Sequence, residues 1–173
     1  MKFIEMFASQ QELDMKIDYE HGLKNEEVFN KKAMSLIVEI CELANEIKFF
    51  KFWSYKKPSS KEKILDEYSD CIHFLLSIGN DLSKIYNIEV QLHDYQRKID
   101  YREFTEQFLA LINYVCKMNI KNELKKAETI DYYYQAFEMI LAIGYELGFS
   151  EKDVEMGYYK KHQRNIERQE TGY

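Results

Sequence analysis

Apolar residues return at every third or fourth position through most of this chain, and no run alternates with the period of a strand. A first helix is therefore expected from Phe3 to about Tyr19, with Phe3, Met6, Phe7, Leu13 and Ile17 on its apolar side. Gly22 closes it or the loop beyond. A second helix is expected from about Asn25 to Phe50, with Glu26 and Glu27 suited to the positive end of its dipole. Pro58-Ser59-Ser60 breaks the pattern, and Ser59 with Glu62 reads as a capping box for a third helix to about Tyr86. A polar stretch over 87–98 follows, expected as a loop or short helix, after which Asp100 and Glu103 are candidate caps of a fourth helix through about Met118. A fifth runs from about Thr129 to Leu147 and ends at Gly148, and Ser150 with Asp153 opens the last, to about Gln169. Together these patterns predict an all-α fold, a helical bundle of about six main helices, in one domain over residues 1–173.

Two of these helices carry carboxylates inside apolar runs. Between Ala33 and Ala44 only Ser35, Glu39 and Glu42 are polar, and Glu67 with Asp70 precedes the run CIHFLLSIG. Residues three apart share a helix face, so each pair forms one acidic patch, and antiparallel packing of the two helices would let all four converge. The same spacing recurs at Asp100/Glu103, Glu103/Glu106, Glu128/Asp131 and Glu167/Glu170, where a solvated face accounts for it. The apolar setting separates the first two pairs from the rest. Converging carboxylates repel and must be protonated, paired with cations, or bound to a metal. An all-oxygen set suits magnesium, and two such ions can activate water and clamp a phosphate.

Composition narrows the classes of partner. The net charge of −6 argues against a nucleic-acid polymer as the main ligand, though not against one nucleotide bound through metal. Fourteen Tyr and eleven Phe are many for a helical domain and can build a core, a subunit interface or a base-stacking pocket. Cys41, Cys71 and Cys116 lie in apolar segments without zinc-type spacing and read as reduced core thiols. No segment has the length of a membrane span, and the N-terminus shows no basic-then-apolar signal, so a cytoplasmic protein is expected.

Four further stretches admit both a structural and a functional reading. Gln10 and Asp14 lie one turn apart beside the apolar stripe of the first helix. The segment from Lys48 to Lys57 mixes lysines with Phe49, Phe50, Phe52, Trp53 and Tyr55, which can anchor a helix end or stack on a base. His73 shares the face of Asp70, where a hydrogen-bonded core histidine is the commoner role. Lys161, Asn165 and Arg168 form one stripe on the last helix, either a surface laced with Glu167 and Glu170 or a grip for a polyphosphate.

Taken in order, E39-x-x-E42, twenty-four intervening residues and E67-x-x-D70 resemble the all-α nucleoside triphosphate pyrophosphatase superfamily. The detailed resemblance is to dimeric dUTPases. It rests on Gln10 and Asp14, the ELANE…KFW and EYSDCIHF segments, and Lys161, Asn165, Arg168, Gln169, Gly172 and Tyr173 at the C-terminus. It spans nearly the whole chain and is thinnest over 87–129.

The resemblance implies hydrolysis of dUTP, and of dUDP, to dUMP by a homodimer with two or more magnesium ions per site. Glu39, Glu42, Glu67 and Asp70 would be the metal ligands, with Glu42 and Glu39 carrying the catalysis and Glu42 orienting or deprotonating the attacking water. Lys161, Arg168 and Tyr173 would contact phosphates. Gln10, Asp14, Trp53, His73, Phe74 and Asn165 would form the base and sugar site. Relatives often carry Asn where this chain has Asp14, and an ionised Asp only accepts hydrogen bonds where an amide also donates. A related enzyme for dCTP or another nucleoside triphosphate is the alternative within the fold. A nucleotide-dependent binding protein with a regulatory protein partner is the alternative outside catalysis.

Overall fold

The computed structural model describes residues 2–23, 28–90, 92, 103–124 and 126–172. These form six helices: α1 (Phe3–Glu20), α2 (Phe29–Ile47), α3 (Lys61–Tyr86), α4 (Phe104–Glu123), α5 (Glu128–Glu146) and α6 (Glu151–Glu170). Among the described residues there is no strand. The fold is all-α, as the helical period requires.

The ends of the helices follow local chemistry. Ser150 accepts from the Asp153 backbone N–H while the Asp153 side chain accepts from that of Ser150, the expected capping box. Gly148, at φ +77, turns the chain after α5 in a conformation that costs a glycine little. The start of α3 differs from expectation. Its cap is Ser60, whose extended backbone lets its side chain accept from the Lys63 N–H. Ser59 instead donates to Glu46 and accepts from Lys48 Nζ at 2.8 Å, tying the loop back to the end of α2. Glu62 pairs with Lys160 on α6 rather than with the cap.

Other boundaries shift as well. The first residues expected in α2, Asn25 to Glu27, lie outside the described residues, as does Asp100. Glu103 precedes α4 without a side-chain capping bond, and α4 runs on to Glu123, past Met118. In that extra turn Asn122 is buried, its side-chain oxygen 3.4 Å from Tyr86 Oη. Of 87–98, Val90 is buried and its N–H meets Ser83 Oγ at 3.1 Å, while residues 93–98 lie outside the described set.

α3 is the axis of the bundle. It packs against α1, α2, α5 and α6, while α4 packs on α2 and α5. Ion pairs at both ends fix α2 and α3 as antiparallel: Lys32 near the start of α2 meets Asp81 near the end of α3 at 2.7 Å. Glu46 at the other end of α2 meets Lys63 at 2.8 Å. Between them Leu36, Ile40 and Leu43 of α2 and Ile72, Leu75 and Leu76 of α3 are fully buried. Each such side chain contributes about 1.5–3 kcal/mol. Tyr68, Tyr133 and Tyr158 are buried too, so part of the aromatic excess is core. Phe52, Trp53 and Tyr55 are exposed. Of the three thiols expected in the core, only Cys71 is there. Cys41 and Cys116 are exposed, since apolar neighbours in sequence need not share a face on a helix.

α6 comes unusually close to α3 at Gly157. A Cβ there would stand 2.5 Å from Ser69 Oγ and 3.2 Å from Leu65 Cγ. One turn further along α6 is Lys161, and one residue after Leu65 and Ser69 come Asp66 and Asp70. The missing side chain brings these charges together.

Candidate functional site

The antiparallel α2–α3 pair places Glu39 beside Glu67 and Asp70. One carboxylate oxygen from each lies within 4.8 Å of the others. Burial, then the charges of Asp70, Glu42 and Glu67, push the Glu39 carboxyl up to about 7. Glu67 is raised by burial and by Asp70, against the pull of Lys161, and Asp70 is raised by burial despite the same lysine. Three acids that resist ionising together, offering only oxygens, are the donor set of a hard divalent cation. The residues fit magnesium by type and spacing. Glu42 is exposed at the rim, outside the three-residue group, but its charge acts on both Glu39 and Glu67.

A cationic side faces this cluster from α6. Lys161 is buried and forms an ion pair with Asp70, with its Nζ also 3.0 Å from Asp66 Oδ2. Burial works against the ammonium, but its bonds to Asp70 and Asp66 outweigh that and raise it. Arg164 pairs with the other oxygen of Asp66. Burial pushes Asp66 up, yet Arg164 and Lys161 together hold it below its ordinary value.

On the far side of Asp70 opens a cavity of about 340 Å³, lined by residues of α1, α2, α3 and α6. Asp70, His73, Phe74 and Ser77 reach it from α3, Gln10 and Asp14 from α1, and Asn165 from α6. His73 stacks on Tyr158 with ring centroids 4.3 Å apart, and burial lowers it to about 3. Its Nε2 lies 3.1 Å from the Tyr158 carbonyl, its Nδ1 2.7 Å from the Gln10 side chain. Gln10 continues to Asp14 at 2.8 Å, and Asp14 accepts from Ser77 Oγ at 2.6 Å. Lys32 Nζ stands 3.7 Å from Asp14 on its way to Asp81.

This chain of bonds is one proton short. With the one N–H of a neutral His73 on Nε2, facing the Tyr158 carbonyl, Nδ1 is an acceptor. If the Gln10 amide turns its NH2 to Asp14, its oxygen faces that acceptor. If it turns its NH2 to His73, its oxygen faces the Asp14 carboxylate. In that tautomer either orientation needs one more proton, on His73 or on Asp14. Burial lowers His73, whereas burial raises Asp14, with Lys32, Ser77 and Gln10 opposing.

A protein-family model described as dUTPase matches residues 2–173. The chain belongs to the dimeric, all-α dUTPase family. Among individually curated proteins, none matches it. Family membership supports a dUTPase-like hydrolase, and no helix among the described residues is long and apolar enough to cross a membrane.

The dUTPase fold thus gathers Glu39, Glu67, Asp70 and Lys161 at one end of the cavity, with Gln10, Asp14, His73, Phe74 and Asn165 along it. It does not bring every expected residue there. Trp53 is 64% exposed, packed edge-on against Phe50 and Phe52 in the loop between α2 and α3. Arg168 is exposed on the last turns of α6, and Tyr173 lies outside the described residues. Sequence reasoning missed Asp66, Arg164, Lys32 and Ser77. Asp66 and Asp70 are an i,i+4 acidic pair facing Lys161, a signal present in the sequence but overshadowed by the E-x-x-D motif.

Proposed function

We propose that this dUTPase-family chain, as one domain over residues 1–173, hydrolyses dUTP and dUDP to dUMP with magnesium, as a homodimer. The observation that carries the reading is that Asp70 belongs both to the three-carboxylate cluster and to the wall of the cavity. A nucleoside in the cavity therefore presents its phosphates to the cluster.

Magnesium, two or more ions held by Glu39, Glu67 and Asp70 with Glu42 at the rim, would neutralise the phosphates and lower the pKa of a water. Glu42, exposed and adjoining the cluster, takes the proton of the water that attacks the α-phosphorus in line, and Glu39 shares in holding the acidic site. Lys161 and Arg168 on α6, with Tyr173, bind the phosphate oxygens; phosphoryl transfer asks mainly for such positioning and charge neutralisation. Gln10, Asp14 and Asn165 hold the base and sugar, and His73 and Phe74 line them. Trp53 covers the nucleotide once it is seated. The exposed aromatic loop at Phe52 and Tyr55 supplies apolar surface for the second subunit.

The test is pyrophosphate and phosphate release from dUTP, dUDP, dCTP, dTTP and UTP, each with magnesium and with EDTA. Selective turnover of dUTP and dUDP is expected only with magnesium, and Glu42→Gln or Asp70→Asn abolishes it while keeping the helical spectrum. Preference for another nucleotide overturns the base assignment, and turnover in EDTA or by both variants overturns the mechanism.

A further inference from the structure

Lys161 does two things that conflict. Its ammonium neutralises Asp70, one of the three carboxylates that fit a divalent cation, so a cation arriving at Asp70 meets a lysine already there. Lys161 is buried, with little access to water in which to retreat. The structure shows where it can go. Asp66, one turn before Asp70 on α3, already accepts from the same Nζ at 3.0 Å and is not among the clustered carboxylates. Asp66 is a third exposed, while Asp70 is more deeply set, so Asp66 lies on the open side of the lysine.

We propose that Asp66 is a positioning residue that receives Lys161 when a divalent cation takes Asp70, and so lets cation and lysine occupy the site together. This rests on the metal reading of the site given above. Without Asp66, binding a cation would leave a buried ammonium with no partner and a like charge beside it, an arrangement of high cost. With Asp66, the ion pair is exchanged rather than broken, and the lysine stays poised on the side where phosphates arrive. Arg164 holds the other oxygen of Asp66 and keeps the carboxylate facing Lys161. Among the described residues the enclosed Arg164 Nε has no hydrogen-bond partner, so this guanidinium retains a donor not used by Asp66.

The test is a double-mutant cycle read by manganese binding, measured by titration calorimetry and by the electron-spin signal of free Mn2+, with no nucleotide present. Asp66→Asn is expected to weaken Mn2+ binding about 10- to 100-fold, the range for residues that orient metal ligands. Lys161→Met removes the competitor. In that background Asp66→Asn is expected to change Mn2+ affinity less than about twofold, because there is no ammonium left to receive. If Asp66→Asn weakens binding equally in both backgrounds, Asp66 acts only through its charge and the proposal is overturned. Unchanged affinity in the single variant overturns it too. Wild-type protein that binds no Mn2+ overturns the metal reading itself, which is a different result. Asp66→Ser gives the same readout if the asparagine variant loses helicity.

Discussion

Asp14→Asn is the substitution that most sharply tests the hydrogen-bond network lining the cavity. It keeps the size of the side chain and supplies the donor that the Gln10–His73 chain lacks. Gln10 can then give its NH2 to His73 Nδ1 and accept from the Asn amide, while the Asn oxygen still accepts from Ser77. The alternative way to complete the network, protonating His73 from its value of about 3, would cost about 5 kcal/mol at neutral pH, so wild-type protein does not use it. Replacing a contact between two acceptors by a hydrogen bond contributes about 1–3 kcal/mol. Against this stands the loss of the 3.7 Å contact to Lys32, at most about 1 kcal/mol because Lys32 keeps Asp81 at 2.7 Å.

The net gain, up to about 3 kcal/mol, should raise the melting temperature by up to about 12 °C in a chain of this size. The gain depends on pH. Burial raises the Asp14 carboxyl above its ordinary 3.8, so its protonated form is favoured by folding. Below the unfolded value both states carry the proton and the charge-related difference vanishes; it develops as pH rises through the folded value. Thermal unfolding followed by circular dichroism should therefore show little difference near pH 4 and a larger one near pH 8. A variant less stable than wild type near pH 8, or a difference constant across that range, refutes the missing-proton argument.

Three other outcomes are expected. Glu39→Gln removes one of three repelling acids, whose stability cost appears as pH rises through about 7. Discounted for its half-exposed setting, it should stabilise metal-free protein by about 1 kcal/mol above that pH while abolishing stabilisation by magnesium, both read by thermal shift. Gly157→Val forces α6 away from Leu65 and Ser69, which should cost about 1–3 kcal/mol in denaturant melts and weaken nucleotide binding with it. Ser60→Ala loses the cap of α3 and about 1 kcal/mol, with turnover of the folded protein unchanged, whereas Ser59→Ala leaves that cap intact.

The helices were legible because each buries one face against α3 or its neighbours, and that requirement writes a 3.6-residue period into the sequence. Ser150 and Asp153 were legible as a cap because a capping box is complete within four residues. Ser59 and Ser60 were not separable, since either serine precedes the helix and only the tie of Ser59 to Glu46 decides between them. The E-x-x-E and E-x-x-D spacing marked the acidic helices, but the rotation of each helix about its axis leaves Glu42 at the rim, a matter of packing that spacing does not contain. Asp66 and Arg164 acquire meaning only through their contact across 98 residues. Likewise, Lys32 reads as a surface charge until Asp14 and Asp81 are seen on either side.

α1 and α6 are bound to each other. The Lys2 N–H meets Glu155, Lys16 meets Glu170 and His162 meets the Ser9 carbonyl, at 2.7, 2.9 and 3.0 Å. A ribosome adding about 5–20 residues per second delivers α1 to α5 before any of α6. Until then His73 has no Tyr158 to stack on and the carboxylates have no Lys161. Nascent or prematurely terminated chains thus own the acidic half of the site but not the cationic half. The pocket closes only once α6 has been made and docked against α1 and α3.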